Sequence, residues 1–185
     1  MGYVTTANFK TWAKFTKDTE DALLAVLISM AEKIIENYTN RVFEIDSASD
    51  QTFSRVAGLP GPSRVRGNTL YFYEELATSE DVTFSGGGTV VFLPEDGPPY
   101  YGCYLTDGSW DYPTETVNGK WGYSESPPED IQYACYILTK WLYDNRDSTK
   151  GDNLVVTPEG KVLVPSGLPS GAKIILDQYK RVVLV

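Results

Sequence analysis

The sequence contains no histidine. The commonest general base and the commonest metal-ligating side chain are therefore both missing, and no Ser–His or Cys–His relay can be built. Cysteine is almost as scarce. Cys103 and Cys135 are too few for a zinc cluster, and a single bridge between distant positions does not define a disulfide-rich secreted scaffold. Basic residues are outnumbered, 16 Lys and Arg against 25 Asp and Glu, which gives a formal charge of −9 and a pI near 4.5. Such a surface is poorly suited to gripping nucleic-acid phosphates. No stretch approaches the roughly 20 apolar residues that a membrane span needs, so no membrane partner is expected. Met1–Thr6 lacks the basic start and apolar run of a signal peptide. Thr6 fits the loose M-G-x-x-x-[ST] myristoylation pattern, but a match this short is weak and a plain start is the preferred reading. The expected site of synthesis is a reducing cytosol.

What is present is the composition of a folded domain: 185 residues, 42% hydrophobic and 22% charged. The length suits one domain or two small ones and is enough to bury a core. Thr5 or Thr6 can cap a short first helix running to about Phe15, with Phe9, Trp12 and Ala13 on one side. Asp18 then caps a longer helix whose apolar positions are Leu24, Leu27, Ile28, Ala31, Ile34, Ile35 and Tyr38, spaced three or four apart. From Arg41 to Ser126 the pattern changes to short aromatic runs divided by Gly and Pro. Thr69–Tyr73, Asp81–Phe84, Thr89–Leu93 and Tyr101–Leu105 read as strands, and Gly86-Gly87-Gly88 as a hairpin turn between two of them. Pro127-Pro128 opens a third helix with a stripe of Ile131, Ala134, Cys135, Leu138 and Leu142. Leu154–Thr157 and Lys161–Val164 flank a Pro158-Glu159-Gly160 turn and read as a β-hairpin, which must rest on something to be stable. A last helix follows Pro169-Ser170 and carries Ile174, Ile175, Tyr179 and Val182.

The expected fold class is therefore α+β: a small helical bundle of about four helices with an inserted antiparallel β section and a β-hairpin before the C-terminal helix. The expected organisation is a single domain over 1–185, with N-terminal helices at 1–40, the β-rich insertion at 41–126, the third helix at 127–147, the hairpin at 148–167, and the C-terminal helix and tail at 168–185. Charge is unevenly spread along it. Residues 41–126 hold 5 basic and 13 acidic side chains, a net of −8, while 168–185 holds Lys173, Lys180 and Arg181 against Asp177, a net of +2. This makes a dipolar surface able to steer association with a charged partner, or simply two solvated faces.

Residues able to carry catalysis are few. The carboxylate pairs Glu74-Glu75, Glu80-Asp81, Glu95-Asp96 and Glu129-Asp130 are adjacent in sequence. Neighbours on a strand point to opposite faces, so none makes the facing pair of a glycosidase. Glu129-Asp130 falls in a helix first turn, where acids are expected for dipole reasons. Asp46–Asp50 lacks the spacing of a calcium loop. The Gly86–Gly88 run lacks the Lys-Ser/Thr pair and the following helix of a phosphate loop. Cys135 reads as a small core residue. Tyr100, Tyr101, Tyr104, Trp110, Tyr112, Trp121 and Tyr123 crowd one region, as a sugar-stacking platform, a protein interface or sheet core. Arg55, Arg64 and Arg66 flank Gly58–Pro62 and are placed either to brush a phosphate backbone or to solvate a loop. No catalytic, cofactor-binding or metal-binding residue is assigned.

The order of pieces resembles one family. It is carried by Tyr3-Val4-Thr5, the helix ending in Tyr38-Thr39-Asn40-Arg41, and Gly97-Pro98-Pro99-Tyr100. It continues with Val117-Asn118-Gly119-Lys120-Trp121-Gly122-Tyr123-Ser124 leading into Pro127-Pro128-Glu129-Asp130-Ile131, then Leu142–Asp147 and Leu176–Arg181. Together these are similar to the head–tail connector (adaptor) proteins of tailed bacteriophages. The resemblance implies a structural virion protein of the head–tail junction, assembled in the host bacterial cytoplasm, and not an enzyme. It implies a homo-oligomeric ring of twelve copies beneath the portal protein, bridging to a neck stopper or tail protein and leaving a channel through which DNA passes without specific binding. It also implies that the C-terminal segment docks on the portal; in this chain that is Tyr179, Lys180, Arg181, Val182, Val183, Leu184 and Val185. The β section is longer than in a minimal member, and the Asn153–Val164 hairpin resembles an insertion. The alternatives are a neck stopper or tail-completion protein, a carbohydrate-binding module using the aromatic cluster and, more remotely, a hydrolase.

Overall fold

The computed structural model describes residues 2–16, 19–45, 47–54, 65–111, 113–146, 155–156, 162–163 and 167–181. The chain divides into two compact units, one built from Met1–Arg41 and Pro127–Val185, the other from Val42–Ser126.

The first unit is helical. Helix α1 (Thr6–Ala13) starts where the Thr5 hydroxyl accepts the Asn8 amide at 3.1 Å, and buries Phe9. It stops two residues before the expected Phe15 because Lys14 adopts a left-handed conformation, φ 52°, and turns its N–H back onto the helix. Helix α2 (Asp21–Thr39) buries Leu24, Leu27, Ile28, Ala31, Ile34 and Ile35, six of the seven positions its periodicity marks; Tyr38 is half-buried and its neighbour Thr39 buried. Its start differs from expectation. Glu20 occupies the capping position without a side-chain cap bond, and Asp18 lies outside the described residues. The Glu20 carboxylate instead accepts a hydrogen bond from Tyr143 of helix α3 (Glu129–Asn145). Helix α3 follows Pro127-Pro128, sets Glu129 and Asp130 in its first turn, and buries the expected stripe of Ile131, Ala134, Cys135, Leu138 and Leu142. Strands β8 (Val155–Val156) and β9 (Val162–Leu163) pair antiparallel as the expected hairpin; its turn lies outside the described residues.

Helix α4 (Ser170–Gln178) carries Ile174 and Ile175 as expected but ends before Tyr179. Its buried residues are Ala172 and Leu176, whereas Ile174 is 66% exposed and Ile175 half-buried. Two residues along a helix is about 200° of rotation. With Ala172 and Leu176 turned inward one above the other, Ile174 is carried to the opposite side.

The second unit holds the remaining seven strands: β1 (Ser49–Ser54), β2 (Val65–Arg66), β3 (Thr69–Leu76), β4 (Thr83–Phe84), β5 (Val90–Leu93), β6 (Tyr100–Leu105) and β7 (Thr114–Gly119). They form two antiparallel sheets, in the orders β1-β7-β4 and β2-β3-β6-β5. Leu70 and Phe72 alternate with exposed Tyr71 on β3, and Cys103, Leu105, Phe53 and Val117 complete a shared aromatic and aliphatic core. Gly86–Gly88 is not a hairpin turn, as the sequence suggested. It carries the chain from β4 in one sheet to β5 in the other.

Glu115 on β7 secures that crossing. Its carboxylate is fully buried, accepts the amides of Gly86 at 2.9 Å and Asp111 at 2.8 Å, and accepts the Ser85 hydroxyl at 3.2 Å. A Cβ on residue 86 would lie 2.7 Å from that carboxylate and 3.0 Å from the Asp111 amide, so only glycine fits. Replacing Glu115 by Ala strands two amides at once, and each orphaned buried donor costs about 1–3 kcal/mol. Glu115→Ala is expected to lower the unfolding free energy by roughly 3 kcal/mol, read as a fall in the urea midpoint at unchanged m-value.

Candidate docking site at the C-terminal segment

Of the seven residues to which the resemblance assigns docking, Tyr179, Lys180 and Arg181 are described; Val182–Val185 lie outside the described residues. The three are fastened to their own helical unit. Tyr179 follows α4 as its C-terminal cap, and its hydroxyl lies 2.8 Å from both carboxylate oxygens of Asp130, to which it donates. The Arg181 amide donates to the Thr39 carbonyl at 2.8 Å. Thr39 is the last residue of α2, so its carbonyl is one of the four that a helix end leaves without an intrahelical partner. Lys180 sets its ammonium 5.0 Å from the centre of the Tyr38 ring.

Electrostatics tighten the same spot. Asp177 accepts from Lys173 at 2.7 Å and from the Tyr38 hydroxyl. These two bonds, Lys173 first, hold the Asp177 carboxyl below its usual range, and the Asp177 bond raises the Tyr38 hydroxyl and the Lys173 ammonium above theirs. Asp177 is therefore ionised throughout the physiological range. The described part of the segment, Tyr179–Arg181, is held between the end of α2 and the start of α3. Of its two receivers, the sequence marked Asp130 only as an acid of a helix first turn and Thr39 only within the family pattern. Asp130 had a sufficient explanation in the helix first turn, and a carbonyl carries no sequence signal.

The other candidates resolve differently. Trp110 and Trp121 are core residues, 3% and 6% exposed, with their indole N–H groups donating to the carbonyls of Asn68 at 3.0 Å and Ser49 at 2.8 Å. Both tryptophans of the aromatic cluster are thus unavailable to a sugar. Tyr101 is exposed and Tyr100, Tyr104 and Tyr123 half-buried; Tyr112 lies outside the described residues. So do Arg55, Arg64 and Gly58–Pro62, leaving Arg66, exposed on β2. Both members of Glu80-Asp81 and of Glu95-Asp96 are exposed; Glu74 accepts from Gln51 at 3.2 Å. Among the described residues no group of three or more Cys, Asp and Glu side chains converges. A shallow groove of about 680 Å³ beside α1 is lined by Thr6, Lys10, Lys14 and Asp21 among others, and its Lys10 pairs with Asp21 at 2.9 Å.

Both thiols are fully buried, and burial pushes each up to about 12, with Glu115 adding to the shift at Cys103 and Glu32 at Cys135. A raised folded value keeps the thiol neutral. That stability is complete below the unfolded value near 8.5 and is lost as pH rises toward 12. Neither cysteine is expected to react with a thiol reagent at pH 8 until denaturant is added, when both should. Tyr179→Phe removes one hydrogen bond to a carboxylate and is expected to cost about 1 kcal/mol; hydrogen exchange at the Arg181 amide should then accelerate while the α3 core stays protected.

No curated protein matches the chain. In fold, the chain is similar to one in the neck of an empty gene transfer agent (GTA) particle computed with C6 symmetry, at 14% identity and a TM-score of 0.61, covering 99% of this chain and 92% of that one. It is also similar to one in the neck of a native GTA particle computed with C12 symmetry, at 14% identity and a TM-score of 0.52, covering 97% and 90%. The resemblance read from the sequence has a counterpart over part of the chain: residues 3–80 match the sequence model of the phage gp6-like head-tail connector protein family.

Proposed function

We propose that this chain is a structural virion protein of the head–tail junction, a connector that assembles as a ring and does its work by surface fit. The observation that carries the reading is the family match over residues 3–80, which takes in both N-terminal helices and the first half of the inserted unit. The fold likeness to neck chains supports it, since it runs the length of the molecule, insertion included.

In this reading twelve copies form a closed collar under the portal and pass the load to a stopper or tail protein. The inserted unit, Val42–Ser126, holds 4 basic and 13 acidic side chains, so it carries the whole net charge of −9, and the helical unit is neutral. An acidic unit facing a channel repels phosphate, letting DNA slide where a basic one would bind it. The basic C-terminal segment, 179–185, docks on the portal, with Tyr179 and Arg181 held at Asp130 and Thr39. The buried positions of Trp110 and Trp121 disfavour the carbohydrate-binding alternative. A stopper lower in the neck remains the second reading, favoured by the same match and separated by its contacts.

Native mass spectrometry of the chain, alone and mixed with the portal protein of the same phage, tests the ring. A closed oligomer is expected in at least one condition, and a monomer in both overturns the reading. Crosslinking to the stopper and not to the portal would favour the second reading. Deleting Val182–Val185 is expected to leave the melting temperature unchanged and to weaken portal binding at least tenfold, because chain ends seldom carry core stability. Unchanged portal binding would remove the docking assignment. Duplex DNA is expected to show no retained complex with the chain even at 50 mM salt, where electrostatic binding is strongest.

A further inference from the structure

A helix on the surface of a soluble protein ordinarily shows an apolar stripe and a charged face. The first half of α2 does not. From Ala22 to Ala31 it contains no charged side chain, and of these residues only Leu24, Leu27, Ile28 and Ala31 are buried. Ala22, Leu23, Ala25, Val26 and Ser29 are all exposed, Val26 at 57% and Leu23 at 36%. A helix that is apolar all round belongs in a setting that covers it all round.

A second apolar patch lies on the same unit. Trp12 of α1 stacks on Tyr136 of α3 with ring centres 5.4 Å apart and meets Tyr133 edge-on at 6.0 Å. Trp12 is 38% and Tyr133 48% exposed. Lys10, which bonds to Asp21 at the start of α2, sits about 200° around α1 from Trp12. The aromatic patch is therefore on the side of α1 turned away from the start of α2.

We propose that these patches are the two flanks of one subunit interface: the outward face of α2 in one copy packs on the Trp12–Tyr133 patch of the next copy. This rests on the reading of the chain as a ring-forming neck protein. A closed cyclic assembly joins two different surfaces of each subunit, head to tail, rather than one surface to itself. The chain has two unlike apolar patches, one of small and aliphatic side chains and one of protruding rings of the kind that anchor interfaces. Charge points to a second copy as the occupant. Like copies must meet through a surface that does not repel itself, and the helical unit holds 12 basic and 12 acidic side chains while the inserted unit carries −9.

The test uses Val26→Glu and Tyr133→Glu in the full chain, under whichever condition assembles the wild type. Both positions are exposed, and circular dichroism melts verify that each variant folds. Each variant alone is expected to remain monomeric, with association weakened at least a hundredfold. Mixed one to one, they are expected to stop at a heterodimer, because each retains the flank that the other has lost. A ring of wild-type size from either variant overturns the proposal. So does a Val26→Glu chain that self-assembles but no longer binds portal, which would give the α2 face to the portal. Monomers that fail to pair on mixing overturn the matching of the two flanks. A wild-type chain that assembles under neither condition overturns the neck reading itself, an outcome distinct from all of these.

Discussion

An insertion of this size must return the chain to the place where it left. Residues 42–126 interrupt a helical unit between α2 and α3, and everything else in the molecule depends on those two helix ends staying together. Each unit holds its own side of the junction. In the inserted unit, the Tyr123 amide donates to the Val42 carbonyl at 2.8 Å, the Ser124 hydroxyl donates to the Phe43 carbonyl at 3.0 Å, and the rings of Phe43 and Tyr123 pack 5.2 Å apart. In the helical unit, the C-terminal segment fastens to Thr39, which ends α2, and to Asp130, which begins α3. The residues proposed to dock on a partner thus also brace the helix ends that flank the insertion.

Charge is divided along the same boundary. Acidic residues crowd the inserted unit and balance basic ones in the helical unit. For a monomer this segregation has no evident use, and it costs some self-repulsion. For copies set side by side it separates two tasks: the neutral unit can be approached by its own kind, and the acidic unit keeps other polyanions from sticking. The outward face of α2 belongs to the neutral part.

Legibility differed by element for physical reasons. Helices α2 and α3 were plain because burial of one side imposes a spacing of three and four that no other structure shares. Strands β3, β5 and β6 announced themselves through β-branched and aromatic residues. Strands β1 and β7 did not: Ser49–Ser54 and Thr114–Gly119 are mostly polar, and their strand character comes from pairing with each other in register, Ser49 opposite Gly119 through Ser54 opposite Thr114. In α4 the sequence marks no buried side, since a short helix offers several apolar faces and only the surface it lands on selects Ala172 and Leu176 over Ile174. The uncharged run in α2 was in plain view, but a list of apolar positions does not tell an inward residue from an outward one.

The amino-acid sequence by itself determined the helices, the interruption by β structure, the imbalance of charge and, over residues 3–80, the likeness to a family of connectors. All of these are local or summed properties, carried by periodicity, composition and short motifs. Tertiary structure alone decided that Trp110 and Trp121 are core rather than platform, that Gly86 crosses between sheets around a buried Glu115, and that Tyr179 and Arg181 are held by Asp130 and Thr39. Those outcomes depend on residues brought together from distant parts of the chain. Burial and hydrogen-bond partnership are properties of the assembled neighbourhood, and no single stretch of sequence contains them.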